Sequence, residues 1–232
     1  MRQEATRTAK AAGTTCGAVL TSLAALTLLA SCAGGPPPPD WQLAARAALA
    51  NHQSAYLAGD TRAAGAELAR VRTELGATGR PELAARAELF GCALQLASLD
   101  FDDCPGYQRY AQDAAPPDRA YAAYLSGSWQ GLNAALLPSV HQAVVVRGND
   151  ALASIEDPIS RLVAAGALLR AGGIAPSGIA LAIDTASANG WRRPLLAWLG
   201  VETKRTEAAG DSAAAARLRR RIEQAGGAAL PR

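Results

Sequence analysis

The chain has 232 residues, with 23 basic and 20 acidic side chains; half of it is hydrophobic and only 5% is aromatic. This near balance of charge gives no basic excess for nucleic-acid phosphates, so nucleic acid is not expected as a partner. The length suffices for one domain with a real core or for a short array of repeats.

Residues 1–31 have the layout of a secretory signal. Three basic residues outnumber one acid within residues 1–10, and residues 18–30 are mostly Ala, Leu and Val. A transmembrane helix is the alternative, but it needs about twenty apolar residues in a row, and polar and small residues interrupt positions 13–17. We therefore predict a signal peptide, whose removal leaves 20 basic against 19 acidic residues.

The segment Leu29-Ala30-Ser31-Cys32 resembles the lipobox of bacterial lipoproteins. This resemblance implies cleavage before Cys32, which would carry lipid on its thiol and amino group. Residues 32–40 then form a Gly- and Pro-rich tether that could hold the folded part about 25 Å from the bilayer. By the same resemblance, Ala33 after the cysteine implies sorting to the outer membrane. The protein would then face the periplasm and contact the membrane through its lipid anchor.

Residues 41–232 are predicted to form a single α-helical repeat domain. Ala, Leu, Arg and Glu dominate, whereas β-branched residues are sparse and nowhere alternate with polar ones, which favours helices and no strand. Two segments, Gly59-Asp60-Thr61 and Gly210-Asp211-Ser212, each predict a hairpin turn. The glycine can end one helix in a left-handed conformation, and the next side chain can cap the following helix.

Prolines predict further helix starts at Pro81, Pro117, Pro158 and Pro194, at intervals of 36, 41 and 36 residues. With the Gly-Asp turns, this spacing resembles tetratricopeptide-like repeats over residues 41–224. The predicted fold is all-α, an array of antiparallel helical hairpins, either as a tetratricopeptide-like α-solenoid or as a compact helical bundle. Large apolar side chains should fill its core: Leu68, Val71, Leu75, Leu89, Leu94, Leu136, Leu162, Leu169, Ile179, Leu195 and Leu199.

Cys92 and Cys104 are the cysteines that remain beside Cys32 after residues 1–31 are removed. Because the bacterial envelope is oxidising, we predict a disulfide between them, with free thiols or a metal site as the alternatives. Closing a loop of this length contributes about 3 kcal/mol in the chain-entropy estimate.

Three acids between these cysteines, Asp100, Asp102 and Asp103, raise the question of a calcium site. An EF-hand loop starting at Asp100 needs glycine and glutamate where this chain has Pro105 and Ala111. A solvated, capped turn is therefore expected, and the sequence predicts no metal site and no cofactor.

Aromatic residues concentrate within positions 101–129, where six of the eleven lie. They form either the core of the middle hairpin or a groove for a peptide or glycan. As a groove they would be candidate partner-binding residues, namely Tyr107, Tyr110, Tyr121, Tyr124 and Trp129. The basic run at residues 217–221 could likewise face anionic lipid headgroups, or simply keep the last helix soluble.

No nucleophile, metal or phosphate-loop motif of an enzyme occurs, and His52 and His141, the two histidines, are expected at the surface or partly buried. We therefore expect no catalytic residue. The predicted function is an adaptor or scaffold for other envelope proteins in assembly or secretion, by analogy with lipoproteins that carry helical repeats. The alternative is a periplasmic enzyme acting on peptidoglycan or polysaccharide through a carboxylate pair, for instance Glu88 with an acid of residues 100–103.

Overall fold

The computed structural model describes residues 37–227, and Pro39 begins the compact unit that contains every described helix. Ten α-helices, two 3-10 helices and no strand occur in this range, which confirms the all-α prediction. The α-helices are α1 (Asp40–Ala58), α2 (Thr61–Gly76), α3 (Pro81–Ala97), α4 (Pro105–Gln108), α5 (Pro116–Leu125), α6 (Ser139–Arg147), α7 (Pro158–Arg170), α8 (Pro176–Ala188), α9 (Arg192–Ala208) and α10 (Ser212–Gly227); the 3-10 helices are Ala134–Leu136 and Gly148–Ser154. The predicted signal peptide and Cys32 lie outside the described residues.

Both Gly-Asp segments form the helical turns predicted for them. Gly59 ends α1 with φ of +93°, and Asp60 accepts a hydrogen bond from the backbone N–H of Ala63 at 2.9 Å. At the second turn Gly210 has φ of +76°, and Asp211 caps α10 in the same way. Glycine suits both turns because a side chain is strained at positive φ.

The prolines mark helix starts with small offsets. Pro81 and Pro158 are the first residues of α3 and α7, as predicted, whereas α5 begins at Pro116, one residue before the predicted start. Pro194 is the third residue of α9, which begins at Arg192, and so lies in the first turn as predicted. Proline is tolerated throughout a first helical turn, where no intrahelical partner awaits its missing N–H.

The helices pack as successive hairpins, and two further helix contacts join segments that are far apart in sequence. α1 pairs with α2, and α7, α8 and α9 each pack on the next helix, but α3 packs on α7 and α1 also contacts α9. A linear repeat array contacts only its sequence neighbours. The α3–α7 and α1–α9 contacts therefore close the hairpins around α3.

The main core lies between α3, α5 and α6–α9, with Trp198 fully buried in it. The indole N–H of Trp198 donates to the carbonyl of Ala97 at 3.1 Å, so this ring also ties α9 to the end of α3. None of the side chains predicted for the core is exposed. Leu68, Leu136, Leu169 and Leu195 are partly buried, and the other seven are buried.

The crossing of α3 and α7 depends on a glycine. A Cβ added to Gly166 would lie 2.4 Å from the carbonyl oxygen of Leu96, too close for any real side chain. The absence of a side chain thus lets the two helix backbones approach closely and sets the position of α3.

Candidate functional site

Of the two alternatives for the aromatic residues, core or groove, Tyr107 and Tyr124 fit the core. Tyr124 is fully buried, stacks on Trp129 with ring centroids 5.3 Å apart, and lies 4.8 Å from the His141 ring and 6.2 Å from Tyr121. Tyr107 is also buried. The assignment of Tyr107 and Tyr124 to partner binding is therefore wrong: a core built largely from alanine needs these rings for volume.

The remaining three members of the aromatic set are partly buried. Tyr110, Tyr121 and Trp129 pack against the main core, and the indole N–H of Trp129 donates to the carbonyl of Tyr124 at 3.0 Å. These contacts give the three side chains a structural role at the edge of the core.

His141 lies inside this aromatic cluster, 97% buried, and not at the surface as expected. Its Nδ1 has no hydrogen-bond partner among the described residues, and neither has the hydroxyl of Tyr124. Burial lowers the pKa of His141 to about 4, although nearby Asp157 acts in the opposite direction. Burial also raises the pKa of Tyr121 and Tyr124 well above their ordinary value.

The two cysteines form the predicted disulfide, with Cys92 in α3, Cys104 just before α4, and their Cα atoms 5.8 Å apart. The loop between the helices contains two non-glycine residues at positive φ, Leu99 at +58° and Cys104 at +55°. Such backbone conformations need outside support, which the disulfide supplies at one end of the loop.

The three acids of this loop each interact with different groups. Asp102 accepts hydrogen bonds from the Cys104 N–H at 2.8 Å and from Gln95 Nε2 at 3.1 Å, whereas Asp100 accepts from the Tyr56 hydroxyl at 3.3 Å. Asp103 is exposed and lies 3.6 Å from an Arg170 nitrogen. Within residues 37–227 no three His, Cys, Asp or Glu side chains come together as metal ligands.

A cavity of about 210 Å³ lies where α1, α2, α3 and the start of α4 meet; we call it the α1–α4 cavity. Its rim consists of exposed residues, and its floor of buried ones. The rim residues are Thr61, Gly65, Arg72 and Pro105, and the floor residues are His52, Tyr56, Ala64, Glu88, Gly91 and Gly106. Leu68, Cys92, Gln95 and Asp102 complete its lining.

Glu88 is the buried charge of the α1–α4 cavity. Arg72 donates from Nε to one carboxylate oxygen at 2.6 Å and from Nη2 to the other at 2.8 Å. This paired hydrogen bond raises the pKa of Arg72, whose side chain reaches in from the half-exposed rim. Gly106 abuts the same carboxylate, since a Cβ there would lie 2.0 Å from Glu88 Oε2. Both carboxylate oxygens are thus held, and the glycine is needed to make room for them.

His52 is the second buried polar residue of the floor and, like His141, is buried more completely than the surface or partly buried position expected for it. Its Nδ1 lies 2.8 Å from the carbonyl oxygen of Ala64, which requires the proton on Nδ1. Nε2 has no partner among the described residues. It faces Gly91, where an added Cβ would lie 3.8 Å from both Nε2 and Leu68 Cδ2.

Arg193 of α9 fixes the edge of the cavity at the α1–α2 turn. Its guanidinium lies 4.3 Å from the centre of the Tyr56 ring, donates to the Tyr56 carbonyl at 2.7 Å and donates to Thr61 Oγ1 at 2.7 Å. Burial, followed by the charge of Asp100, raises the pKa of Tyr56 far above its usual range. The cavity wall is therefore held by a contact between α9 and the turn from α1 to α2.

A second cavity, also of about 210 Å³, lies on the other side of the disulfide. Leu89, Leu96 and Tyr107 line it together with Arg170, and Cys92 and Asp102 belong to both cavities. Arg170 also donates to the Asp102 carbonyl at 3.1 Å. The disulfide-bonded loop thus forms a wall between the two cavities.

Glu88 and the loop acids were identified as candidates from the sequence, but the residues that surround them were not. Glu88 and Asp102 do line one cavity, as the alternative enzyme hypothesis required, but His52, Arg72 and Gln95 join them there. Helical periodicity could have placed Glu88 and Gln95 on one face of α3, since seven residues make about two turns. Their approach to α2 and the loop was not readable from spacing.

No helix within residues 37–227 combines the length and the apolar character needed to cross a membrane. The arginines at 217, 219, 220 and 221 are exposed on α10, and Arg219 pairs with Glu207 of α9.

Comparisons of the chain with protein-family models, with curated proteins and with solved structures find no match.

Proposed function

We propose that this chain is a lipid-anchored adaptor of the bacterial outer membrane, and that its α1–α4 cavity binds a partner protein in the periplasm. The observation that carries the proposal is a cavity with an exposed rim and a buried polar floor between two helical hairpins. Grooves between packed helices are common binding sites for partner segments.

Two features support the envelope location. The sequence Leu29–Cys32 has the form of a lipidation signal, and the disulfide between Cys92 and Cys104 fits an oxidising compartment. Lipidation has a direct test, because cells fed an alkyne-tagged fatty acid should label the native chain and leave a Cys32→Ala variant unlabelled. Equal labelling of both proteins would contradict the anchor.

The partner is sought with a photoreactive amino acid at Gly65, on the rim of the cavity. A matched control places the same amino acid at Gly76, which is also an exposed residue of α2 and has no atom within 4 Å of an added Cβ. The control position lies about 16 Å further along the helix. Irradiation of intact cells should crosslink one envelope protein from position 65 and not from position 76.

Two results would contradict the adaptor. One is an equal pattern of crosslinks from positions 65 and 76, which would indicate collisions with abundant proteins. The other is crosslinking to lipid or porins alone from position 65.

A second candidate function is the carboxylate enzyme, favoured by the shared position of Glu88 and Asp102 in the lining of one cavity. Hydrolysis of peptidoglycan by the purified chain, lost in Glu88→Gln or Asp102→Asn while folding is retained, would support it. The paired hydrogen bonds from Arg72 argue against it, because both oxygens of Glu88 already accept bonds.

A further inference from the structure

Helix α10 carries a concentrated positive charge on its outer side. Its 16 residues include four arginines and a single acid. Arg217, Arg220 and Arg221 are exposed and form no ion pair or hydrogen bond within the described part of the chain. Arg219, by contrast, pairs with Glu207 of α9. Because residues three and four apart are neighbours on a helix, the three unpaired arginines form one surface, which we call the α10 basic face.

Helix stability does not account for these three charges. Cations stabilise a helix in its last turn, where they lie beside the carbonyl groups that have no partner, but the last turn of α10 contains no basic residue. Arg217 and Arg221 lie in the middle of the helix instead. Like charges at spacings of three and four residues repel each other and destabilise a helix. The α10 basic face therefore lacks a partner that the fold itself supplies.

The inner side of α10 is occupied by the fold. Leu218 and Ile222 pack against the main core, and Ala215 is buried. Membrane-surface helices commonly bury an apolar side in the bilayer, which α10 could do only by separating from the core. A ligand of the α10 basic face is therefore held by charge, at the surface of the protein.

Charge is distributed unequally over the domain. Residues 192–227 contain eight basic and four acidic residues, whereas residues 40–191 contain eleven basic and fifteen acidic ones. An extended anionic surface therefore attracts the α9–α10 hairpin and repels the rest of the domain. This asymmetry would orient the domain on such a surface, whereas it contributes little to the binding of a small anion from solution.

We infer that the α10 basic face docks on the anionic lipid headgroups of the membrane that anchors the protein. The tether of about 25 Å between Cys32 and the described domain keeps this anionic surface within reach. The choice of occupant thus rests on the lipid anchor proposed above. Each basic side chain close to an anionic leaflet favours binding by about fivefold. Docking through three arginines therefore fixes one orientation of the domain relative to the bilayer.

Chemical footprinting of arginines on the native full-length protein tests this docking. The protein is reconstituted into vesicles of equal parts phosphatidylglycerol and phosphatidylcholine, or of phosphatidylcholine alone, and is treated with an arginine-selective dicarbonyl reagent. Mass spectrometry gives the rate of modification at each arginine. We expect the anionic vesicles to slow modification of the α10 basic face by about tenfold or more.

The same measurement contains an internal control. Arg46, Arg62 and Arg70 of α1 and α2 are also exposed and form no ion pair with a described residue. They belong to the part of the domain with an excess of acidic residues. Their modification rates should therefore be the same in both kinds of vesicle.

Two double variants separate the position of the charge from its amount. Arg217→Gln, Arg220→Gln removes two of the three charges and should return Arg221 to its rate in neutral vesicles. Arg62→Gln, Arg70→Gln removes the same charge from α2 and should leave Arg221 protected. Arginine and glutamine have similar helix propensities, so both variants should fold. Protection of Arg221 should also disappear in about 1 M salt, where the Debye length is about 3 Å.

The inference is overturned if the α10 basic face reacts equally in both kinds of vesicle, if the arginines of α1 and α2 are protected as strongly, or if protection persists in high salt. Crosslinking of α10 to an acidic protein in cells, with no protection by anionic vesicles, would overturn the membrane as its occupant. Protection by anionic vesicles of a chain that takes up no fatty acid would overturn the anchor alone and support the headgroup site.

Discussion

The charge pair Arg72–Glu88 is the main electrostatic feature of the α1–α4 cavity. Glu88 is 94% buried, whereas the Arg72 side chain is 44% exposed. The electrostatic attraction between the two side chains is therefore weaker than in a fully buried pair and stronger than in a surface pair. Loss of Arg72 would leave a buried carboxylate without its hydrogen-bond donor.

We predict that Arg72→Met lowers the free energy of unfolding by about 1–3 kcal/mol, since the desolvated charge of Glu88 loses its counterion. Urea denaturation measures the change. The matched control is Arg80→Met, which breaks an exposed pair with Glu82 and should leave stability unchanged within error. Equal effects of the two variants would show that Glu88 does not depend on Arg72.

His141 makes stability depend on pH. Its pKa is about 4 in the folded protein and 6.5 in its ordinary state, so between these values the unfolded chain binds a proton that the folded chain does not. Stability is therefore complete above pH 6.5 and falls as the pH decreases toward 4, by at most about 3 kcal/mol. The groups facing this histidine are the Tyr121 and Tyr124 rings and Asp157.

The measurement is the free energy of unfolding of the native chain and of His141→Gln at several pH values from 7.5 to 4. The variant lacks the titrating group, so the difference between the two curves should change through this window. Parallel curves would contradict a buried neutral histidine at this position.

At the scale of elements, the loop from α3 to α4 combines a disulfide with strained backbone. Cys104 has φ of +55°, a conformation that costs about 1 kcal/mol for a residue with a Cβ and little for glycine. The disulfide itself contributes about 3 kcal/mol by shortening the open loop of the unfolded chain.

We predict that the double variant Cys92→Ala, Cys104→Ala loses about 3 kcal/mol of stability, and that Cys92→Ala, Cys104→Gly is about 1 kcal/mol more stable than the alanine pair at pH 7. Glycine normally destabilises a folded chain through its entropy, so a gain is diagnostic of the left-handed backbone. Chemical denaturation of both variants decides the order, and a less stable glycine variant would contradict the backbone geometry.

The crossing of α3 and α7 provides a second prediction about elements. Gly166→Ala should destabilise the protein by about 1–3 kcal/mol, because its methyl group meets the Leu96 carbonyl and the helices must separate. Gly200→Ala in α9 is the control: it meets nothing within 4 Å and should add about 0.5–1 kcal/mol through helix propensity. Thermal unfolding compares them, and similar effects would exclude a close crossing.

In the whole molecule, the apolar side chains of the α1–α2 hairpin belong to small hydrophobic clusters separate from the main core. The hairpin contacts the rest of the domain through α3 and α9. Its apolar residues form two clusters shared with α3, apart from the large core of α3 and α5–α9. Arg193 of α9 is one polar link between this hairpin and the rest of the domain, since it binds Tyr56 and Thr61 at the hairpin turn. This hairpin is therefore a candidate for opening before the rest of the protein.

We predict that Arg193→Met increases hydrogen exchange in α1 and α2 and leaves α7 and α8 protected. Mass spectrometry after deuterium labelling resolves the helices. Arg205→Met is a matched control, because Arg205 also lies in α9 but pairs locally with Glu202. Faster exchange throughout the Arg193→Met protein would mean that the domain opens as one unit.

The class of fold, the two Gly-Asp turns and most of the apolar core could be predicted from the sequence. These depend on local rules: alanine- and leucine-rich stretches form helices, glycine tolerates the left-handed conformation that ends them, and aspartate caps the next one. The Cys92–Cys104 pairing could also be predicted from the sequence, because these are the two cysteines within residues 41–232.

The roles of the polar and aromatic side chains depend on how the helices pack and could not be predicted from the sequence. Tyr124 and His141 face each other because α5 and α6 both pack on α7 and on the 3-10 helix Ala134–Leu136. His52 meets Gly91 because α1 packs on α3. Burial of a side chain depends on what covers it from distant parts of the chain, which no local pattern records. The candidate site arose for the same reason, since its rim and floor come from four helices brought together by the packing of α3.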